Sequence, residues 1–483
     1  MISYDVIVIG GGLLGSFAAR SLMRYDLNVA LLEESSDLCT GISRANTAIV
    51  YSGCDTKPGT LKTTMCVCAA QSFAQLCDEL DVRYSPCGSI MVTFGELGAK
   101  VLQRKYEKGC ENGVRDMRLL SRDEVLALEP NIAETVHSGL YVPDTGTVMP
   151  WELCLAAAEN ALDNGAEIVL NTKVAAITRV PGGFEVQTNN GSYRTRGIIN
   201  CAGMSADRVL EMTSDPIVRI APTAADYFVL DTKAAGHIRH VIFHETDEKG
   251  KGVTLVPTVD GNILIGPTER PNDGESFATS ASGLEELRSL AEEVMPTLPL
   301  EHIIRSFGAA RPNPRCVEDD RSVNDFSIIE TDDAFISLIG IKTPGLTCAN
   351  ELGLHVADTL AQKLGATINP RYNPRRVGAV RLRDLDLEER GNPGHDASHS
   401  RIVCRCRGVT EGEIIAAIHR RPGAVTLDGI KRRTGAGSGR CQGGFCSQRV
   451  IEILARELNC AVSDITKSGI GSQILCGDGY ECI

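Results

Sequence analysis

Two groups of residues in this chain combine types and spacings that do chemistry. Near the start, the apolar run Asp5-Val-Ile-Val-Ile9 leads straight into Gly10, Gly12 and Gly15. The first glycine permits a tight turn, the second lets backbone approach a pyrophosphate, and the third lets helix pack on strand. Near the other end lie Cys404-Arg-Cys406 and Cys441-Gln-Gly-Gly-Phe-Cys446. Four thiolates in two close pairs hold either a two-iron, two-sulfide cluster or a zinc ion, and spacing alone leaves both open. Glycines at 435, 437, 439, 443 and 444 leave amides free to donate to the sulfurs. Arg405, Arg407, Lys431, Arg432, Arg433 and Arg440 add charge that favours a reduced, more negative centre.

The elements that must position these residues are legible in outline. A helix is predicted over 13–23 and a strand over 29–32, ending at Glu33, whose carboxylate suits ribose hydroxyls. The polar loop 39–47 departs from a nicotinamide pattern and makes room for a larger group. A helix over 61–80 carries Cys66 and Cys68 on different faces, which favours packing over chelation. Short strands over 82–93, a helical stretch over 95–112, a helix over 151–164 and a strand over 167–174 follow. A hairpin over 176–193 precedes a second buried strand that ends in the small-residue turn Ala202-Gly203.

Alternation over 218–264 predicts a separate antiparallel sheet, read as a substrate domain, with a helix over 280–295 and a strand over 303–310 before Arg311-Pro312. A core strand over 334–341 runs into Lys342-Thr-Pro-Gly-Leu-Thr347, a turn that opens a helix to about residue 364. Amides at such a turn stabilise charge building up on an electron-rich ring, which suits a reduced flavin. Residues 366–400 read as a linker, and Thr410 with Glu413 forms a capping box for the first helix of a cysteine module.

With 483 residues the chain is long enough for two or three domains. A net charge of -13 argues against nucleic acid or anionic membranes as the main partner. No apolar run approaches the ~20 residues that span a bilayer. The 18 cysteines, scattered through helices and strands, read mostly as free thiols of a reducing compartment, so the expected location is cytoplasmic.

Taken together, these motifs resemble the D-amino acid oxidase and glycerol-3-phosphate dehydrogenase type of FAD-dependent oxidoreductase, fused to a bacterioferritin-associated-ferredoxin-like [2Fe-2S] domain. Within that group the chain is similar to anaerobic glycerol-3-phosphate dehydrogenase large subunits. The resemblance implies FAD at Gly10, Gly12, Gly15, Glu33, Glu34, Ser43, Asn46, Thr47, Val174, Ala202 and Gly203. It adds Gly340 and the turn Thr343, Pro344, Gly345, Leu346 and Thr347. It also implies a [2Fe-2S] cluster, not zinc, at Cys404, Cys406, Cys441 and Cys446. Two departures stand out: Tyr51 occupies a position where the family usually carries histidine, and the segment 222–227 lacks the family's arginines and its glycine-glutamate-tyrosine.

The expected fold is an α/β Rossmann-like FAD-binding domain, an α+β substrate domain with an antiparallel sheet, and a small helical [2Fe-2S] domain. The expected boundaries are 1–80, 141–217 and 326–365 for FAD, 81–140 and 218–325 for substrate, 366–400 as linker, 401–460 for the cluster and 461–483 as a tail. The expected activity is a dehydrogenase that oxidises a small anionic alcohol, glycerol 3-phosphate or a 2-hydroxy acid, by hydride transfer to FAD. Electrons then pass through the cluster to other redox subunits or an acceptor protein, through which the chain could meet a membrane. Arg305 and Arg311 are the candidate anion clamps, Tyr51 and Lys251 further candidate catalytic groups, and Lys342 a group placed to approach the flavin. Two other readings stand beside this one: an amine or imino-acid dehydrogenase, and a non-catalytic electron-transfer subunit.

Overall fold

The computed structural model describes residues 2–246, 252–272, 274, 276–331, 333–386 and 397–475. Lys251, Cys476 and Cys482 lie outside these residues. At the centre is a parallel sheet in which Ile2–Ile9 is flanked by Gly191–Asn200 on one side and Val29–Leu32 on the other. Glu167–Val169 and Phe335–Ile339 extend it in parallel at the two sides. The strands are continuous apolar runs because both faces are covered. The helices Leu13–Leu22, Pro150–Asp163 and Ala349–Leu364 pack together, burying Phe17, Ala157 and Leu352.

A second sheet of nine strands stands apart, built around Val218–Leu230 paired antiparallel with Ile303–Cys316. It is antiparallel except where Val241–His244 runs parallel to Ser89–Thr93. Its core, with Ile90, Leu255 and Ile265, is closed by the helix Ala281–Val294.

Two local expectations are corrected. The stretch 167–174 is not one strand: Asn171 adopts φ 55°, and Val174–Val180 begins a separate hairpin strand. Arg311-Pro312 does not end its strand either, because Pro312 faces Pro222 and the two missing N–H donors fall in one pair. The sequence pattern also flagged no element over 122–128, where a capped helix, Arg122–Leu128, forms.

The described part of 366–386 is a strap pinned along the surface rather than a free connector. Arg376 and Arg420 converge on buried Glu159 at 2.6 and 2.7 Å, Arg381 reaches Glu152 at 2.8 Å, and Arg383 reaches Asp260 at 3.1 Å. The cysteine module beyond it holds three helices, Glu411–His419, Leu427–Thr434 and Ser447–Leu458, around Ile414, Ile430 and Ile453. Thr410 and Glu413 form the capping box at its first helix. All sixteen cysteines among the described residues are free, nine of them buried.

Glu159, on the helix Pro150–Asp163, therefore ties the strap and the cysteine module to the parallel-sheet layer at once. Glu159→Ala leaves two guanidiniums facing a dry site and is expected to cost about 3–5 kcal/mol, read from chemical denaturation.

Candidate functional site

A cavity of about 720 Å³ runs from Glu33 and Glu34, over the glycine turn, to Tyr51, Arg311 and Lys342. Its shape depends on missing side chains. Gly10 has φ +103°, and a Cβ there would lie 2.5 Å from the Cys201 carbonyl oxygen. A Cβ on Gly15 would lie 1.9 Å from the Gly10 carbonyl oxygen, so the helix start is pressed against the turn. The helix opens at Leu13, whose amide donates to Ser43 Oγ at 2.9 Å. The ends of Glu33 accept from the amides of Gly11 at 2.6 Å and Ser35 at 2.8 Å, which fixes the carboxylate at the cavity rim.

Ser43, Asn46, Thr47, Val174, Ala202, Gly203, Thr343, Pro344, Gly345 and Leu346 line the same cavity, as do Gly10 and Gly12. Asn46 also holds its own loop, accepting from the Ala48 amide at 2.8 Å. Gly15, Gly340 and Thr347 act from behind the wall. Thr347 Oγ1 accepts from the Tyr51 amide at 2.9 Å, and Gly340, at φ +64°, turns the chain against Pro314. The cavity thus suits a long, flat, anionic dinucleotide: glycine backbone at its middle, a carboxylate at one end and a wide polar and aromatic chamber at the other.

At the chamber end, burial pushes the Tyr51 hydroxyl up, so it stays a neutral donor across the neutral range. Tyr227 is pushed up for the same reason and stacks on Phe307 at 4.7 Å. Arg311 meets Glu269 at 3.3 Å. Lys342 donates to Asn313 at 3.0 Å and is pulled down, first by burial, then by the nearby charges of Lys62 and Arg311. Arg305 is corrected: it does not line the cavity, and its guanidinium donates to Gln442 Oε1 at 3.1 Å, beside Cys441. Thr172, Lys173, Arg208 and Pro267 also line the cavity, and no motif flags them; only folding brings these loops to it.

In the cysteine module Cys406 Sγ lies 3.7 Å from Cys441 Sγ, and Cys404 is hydrogen-bonded to Cys446. The first separation matches two thiolates on one tetrahedral metal, about 3.8 Å apart for metal–sulfur bonds near 2.3 Å. Among the described residues no three metal-binding side chains converge on one point. Two thiol pairs fit two irons better than a single zinc. The Cys404 thiol is brought down to about 6, first by the Cys446 hydrogen bond, with the Gly437 and Arg407 amides adding to it. The amides of Phe445 and Gly443 do the same for Cys441.

This fold and pair of sites define a flavin-dependent redox protein with a built-in iron–sulfur relay. Comparison with known proteins bears that out: the profile described as DAO, FAD dependent oxidoreductase, matches residues 5–359, and that of the BFD-like [2Fe-2S] binding domain matches residues 402–456. A glycerol 3-phosphate dehydrogenase of Caloramator mitchellensis is 40% identical over 481 residues, 98% of either chain. An L-2-hydroxyglutarate dehydrogenase of Escherichia coli strain K12 is 27% identical over 78% of this chain and 98% of its own. The solved structure of dithionite-reduced L-alpha-glycerophosphate oxidase from Mycoplasma pneumoniae, with FAD bound, is 28% identical. It superposes with a TM-score of 0.72, over 78% of this chain and 99% of its own. The chain belongs to the FAD-dependent oxidoreductase family, binds FAD and carries a [2Fe-2S] domain.

Gly15→Ala forces a methyl group into the Gly10 carbonyl and is expected to give protein without bound flavin, checked by the visible spectrum. Cys441→Ser is expected to lose iron and acid-labile sulfide while keeping the flavin bands, checked by metal and sulfide analysis.

Proposed function

We propose that this enzyme oxidises glycerol 3-phosphate, or a 2-hydroxy acid of similar size, and passes the electrons singly through its cluster to an acceptor protein or further redox subunits. The observation that carries the reading is the pair of cations, Arg311 and Lys342, in one chamber with Tyr51 and Tyr227. A guanidinium fork and a lysine ammonium match a phosphate or carboxylate, and the neighbouring phenols suit a hydroxyl-bearing substrate. The full-length likeness to the Caloramator enzyme, named for glycerol 3-phosphate, supports the same substrate.

Bound FAD supplies a two-electron acceptor that releases electrons one at a time. The residues of the chain do the rest. Arg311, steadied by Glu269, and Lys342, steadied by Asn313, hold the anionic group and orient the carbon that loses hydride. Tyr51 keeps its proton and donates to the substrate oxygen, while the stacked Tyr227 and Phe307 keep water out of the chamber wall. On the far side, Arg305 meets the cluster loop and lies four residues along one strand from cavity-lining Ala309. At about 3.3 Å per residue that step spans about 13 Å. The free thiols fit a reducing cytoplasm, and no helix of the described residues is long and apolar enough to cross a membrane.

The reading is tested by mixing oxidised protein, without air, with glycerol 3-phosphate, L-2-hydroxyglutarate, L-lactate, L-proline and N-methylglycine. Flavin bleaching by glycerol 3-phosphate or a hydroxy acid is expected. Bleaching only by the amines, or by none of the five, overturns it. Arg311→Ala removes a charge-assisted hydrogen bond and is expected to raise KM by about 10–100-fold. Only the ammonium form of Lys342 attracts an anion, and its proton affinity is lowered. KM is therefore expected to rise as pH climbs on the alkaline side, and to begin rising earlier than an ordinary lysine dictates. Lys342→Arg is expected to flatten that rise in the pH profile of KM.

A further inference from the structure

The loop after Glu33 serves two sites. On one flank it closes the nucleotide turn: a Cβ on Gly11 would meet buried Leu38 at 2.4 Å, and the Cys39 amide donates to the Gly11 carbonyl at 3.0 Å. Glu34, Ser35, Thr40 and Gly41, on either side, line the nucleotide cavity. Between them Asp37 turns the other way, with a side chain only 1% exposed.

Asp37 meets the last turn of the cluster module's helix Leu427–Thr434. Its Oδ2 accepts from Arg432 at 2.6 Å and from Arg433 at 2.8 Å, and its Oδ1 accepts from Arg433 at 2.8 Å. Both arginine side chains are 5% exposed. The helix ends at Gly435, at φ +81°, and two residues later the Gly437 amide reaches the Cys404 sulfur. A single chain of contacts therefore runs from the glycine turn, through Leu38 and Asp37, to the backbone that supports the iron ligands.

We propose that Asp37, Arg432 and Arg433 form a clamp that couples the two cofactor sites, so that FAD binding and docking of the cluster module strengthen each other. The physical reason is twofold. Held by two guanidiniums, the loop keeps Leu38 against Gly11 and presents a preformed nucleotide turn, which lowers the ordering cost of binding. The clamp also buries two positive charges against one negative, and the Nε atoms of both arginines are without hydrogen-bond partners. An anionic dinucleotide along the flanks of the same loop offsets that excess. Coupling of this kind is reciprocal: whatever factor docking adds to FAD affinity, FAD adds to docking. Arg432 and Arg433 are positioning residues, acting through Asp37 and touching neither substrate nor flavin.

The test is the dissociation constant of FAD, measured by fluorescence quenching on full-length protein stripped of flavin with its cluster intact. The double variant Arg432→Gln, Arg433→Gln is expected to bind FAD about tenfold more weakly while retaining iron and sulfide. The triple variant that adds Asp37→Asn is expected to bind FAD no more weakly than the glutamine pair, because all three act through one clamp. Arg432→Lys with Arg433→Lys is expected to recover part of the loss. Wild-type FAD affinity in the glutamine variant with its iron intact overturns the proposal, as does still weaker binding in the triple variant. Should the glutamine pair fail to hold iron, Arg433→Gln alone decides the same point. None of these readings requires a substrate, so they fail or succeed independently of the proposed activity.

Discussion

The architecture depends on neutralising buried charge where the cysteine module meets the rest of the chain. Residues 401–475 carry twelve Lys and Arg against six Asp and Glu, in a chain of net charge -13. Five of those arginines are spent on four acids of the other domains: Arg407 on Asp260, Arg420 on Glu159, Arg432 and Arg433 on Asp37, and Arg440 on Asp231. Exposed ion pairs of this kind contribute little, about 0–1 kcal/mol. The acids in this seam are buried, and an unpaired buried carboxylate costs several kcal/mol, so the seam is set by what happens when a partner is missing. The arrangement specifies one docked geometry for the module more than it adds stability.

That geometry explains why Arg305 and Arg311, six residues apart on one strand, serve different ends. Ile303–Cys316 runs along the sheet beside the cavity, and its two ends face different neighbours. Arg311 lines the chamber with Lys342, and Arg305 meets Gln442 beside Cys441. One strand thus carries Arg311 at the chamber and Arg305 at the cysteine loop. The stacked Tyr227 and Phe307 lie across the same pair of strands, between those two points.

Much of this was readable from residues alone, and the failures have a pattern. The glycine turn, Glu33 and the capping box of Thr410 and Glu413 are local: each depends on residues within a few positions of one another. The break at Asn171 and the strand that continues through Pro312 are not. The first needs a left-handed residue that costs little in asparagine, and the second needs a proline on the opposite strand, which no window along the chain reveals. The segment 366–386 looked like a connector because it lacks periodicity. It is ordered instead by arginines that reach acids far away in sequence, such as Arg376 to Glu159.

By itself, the sequence determined where backbone must pass without side chains, which acid closes the nucleotide strand, and which four thiols belong to the module, because those are properties of neighbouring residues; that Cys406 meets Cys441 and Cys404 meets Cys446 was decided by folding. Only the tertiary structure decided which arginine faces the chamber, which acid docks which guanidinium, and that Asp37 stands between two cofactor sites. Those outcomes depend on groups that meet only when the sheets, the strap and the module have packed, and charge pairing across such distances carries no signature along the chain.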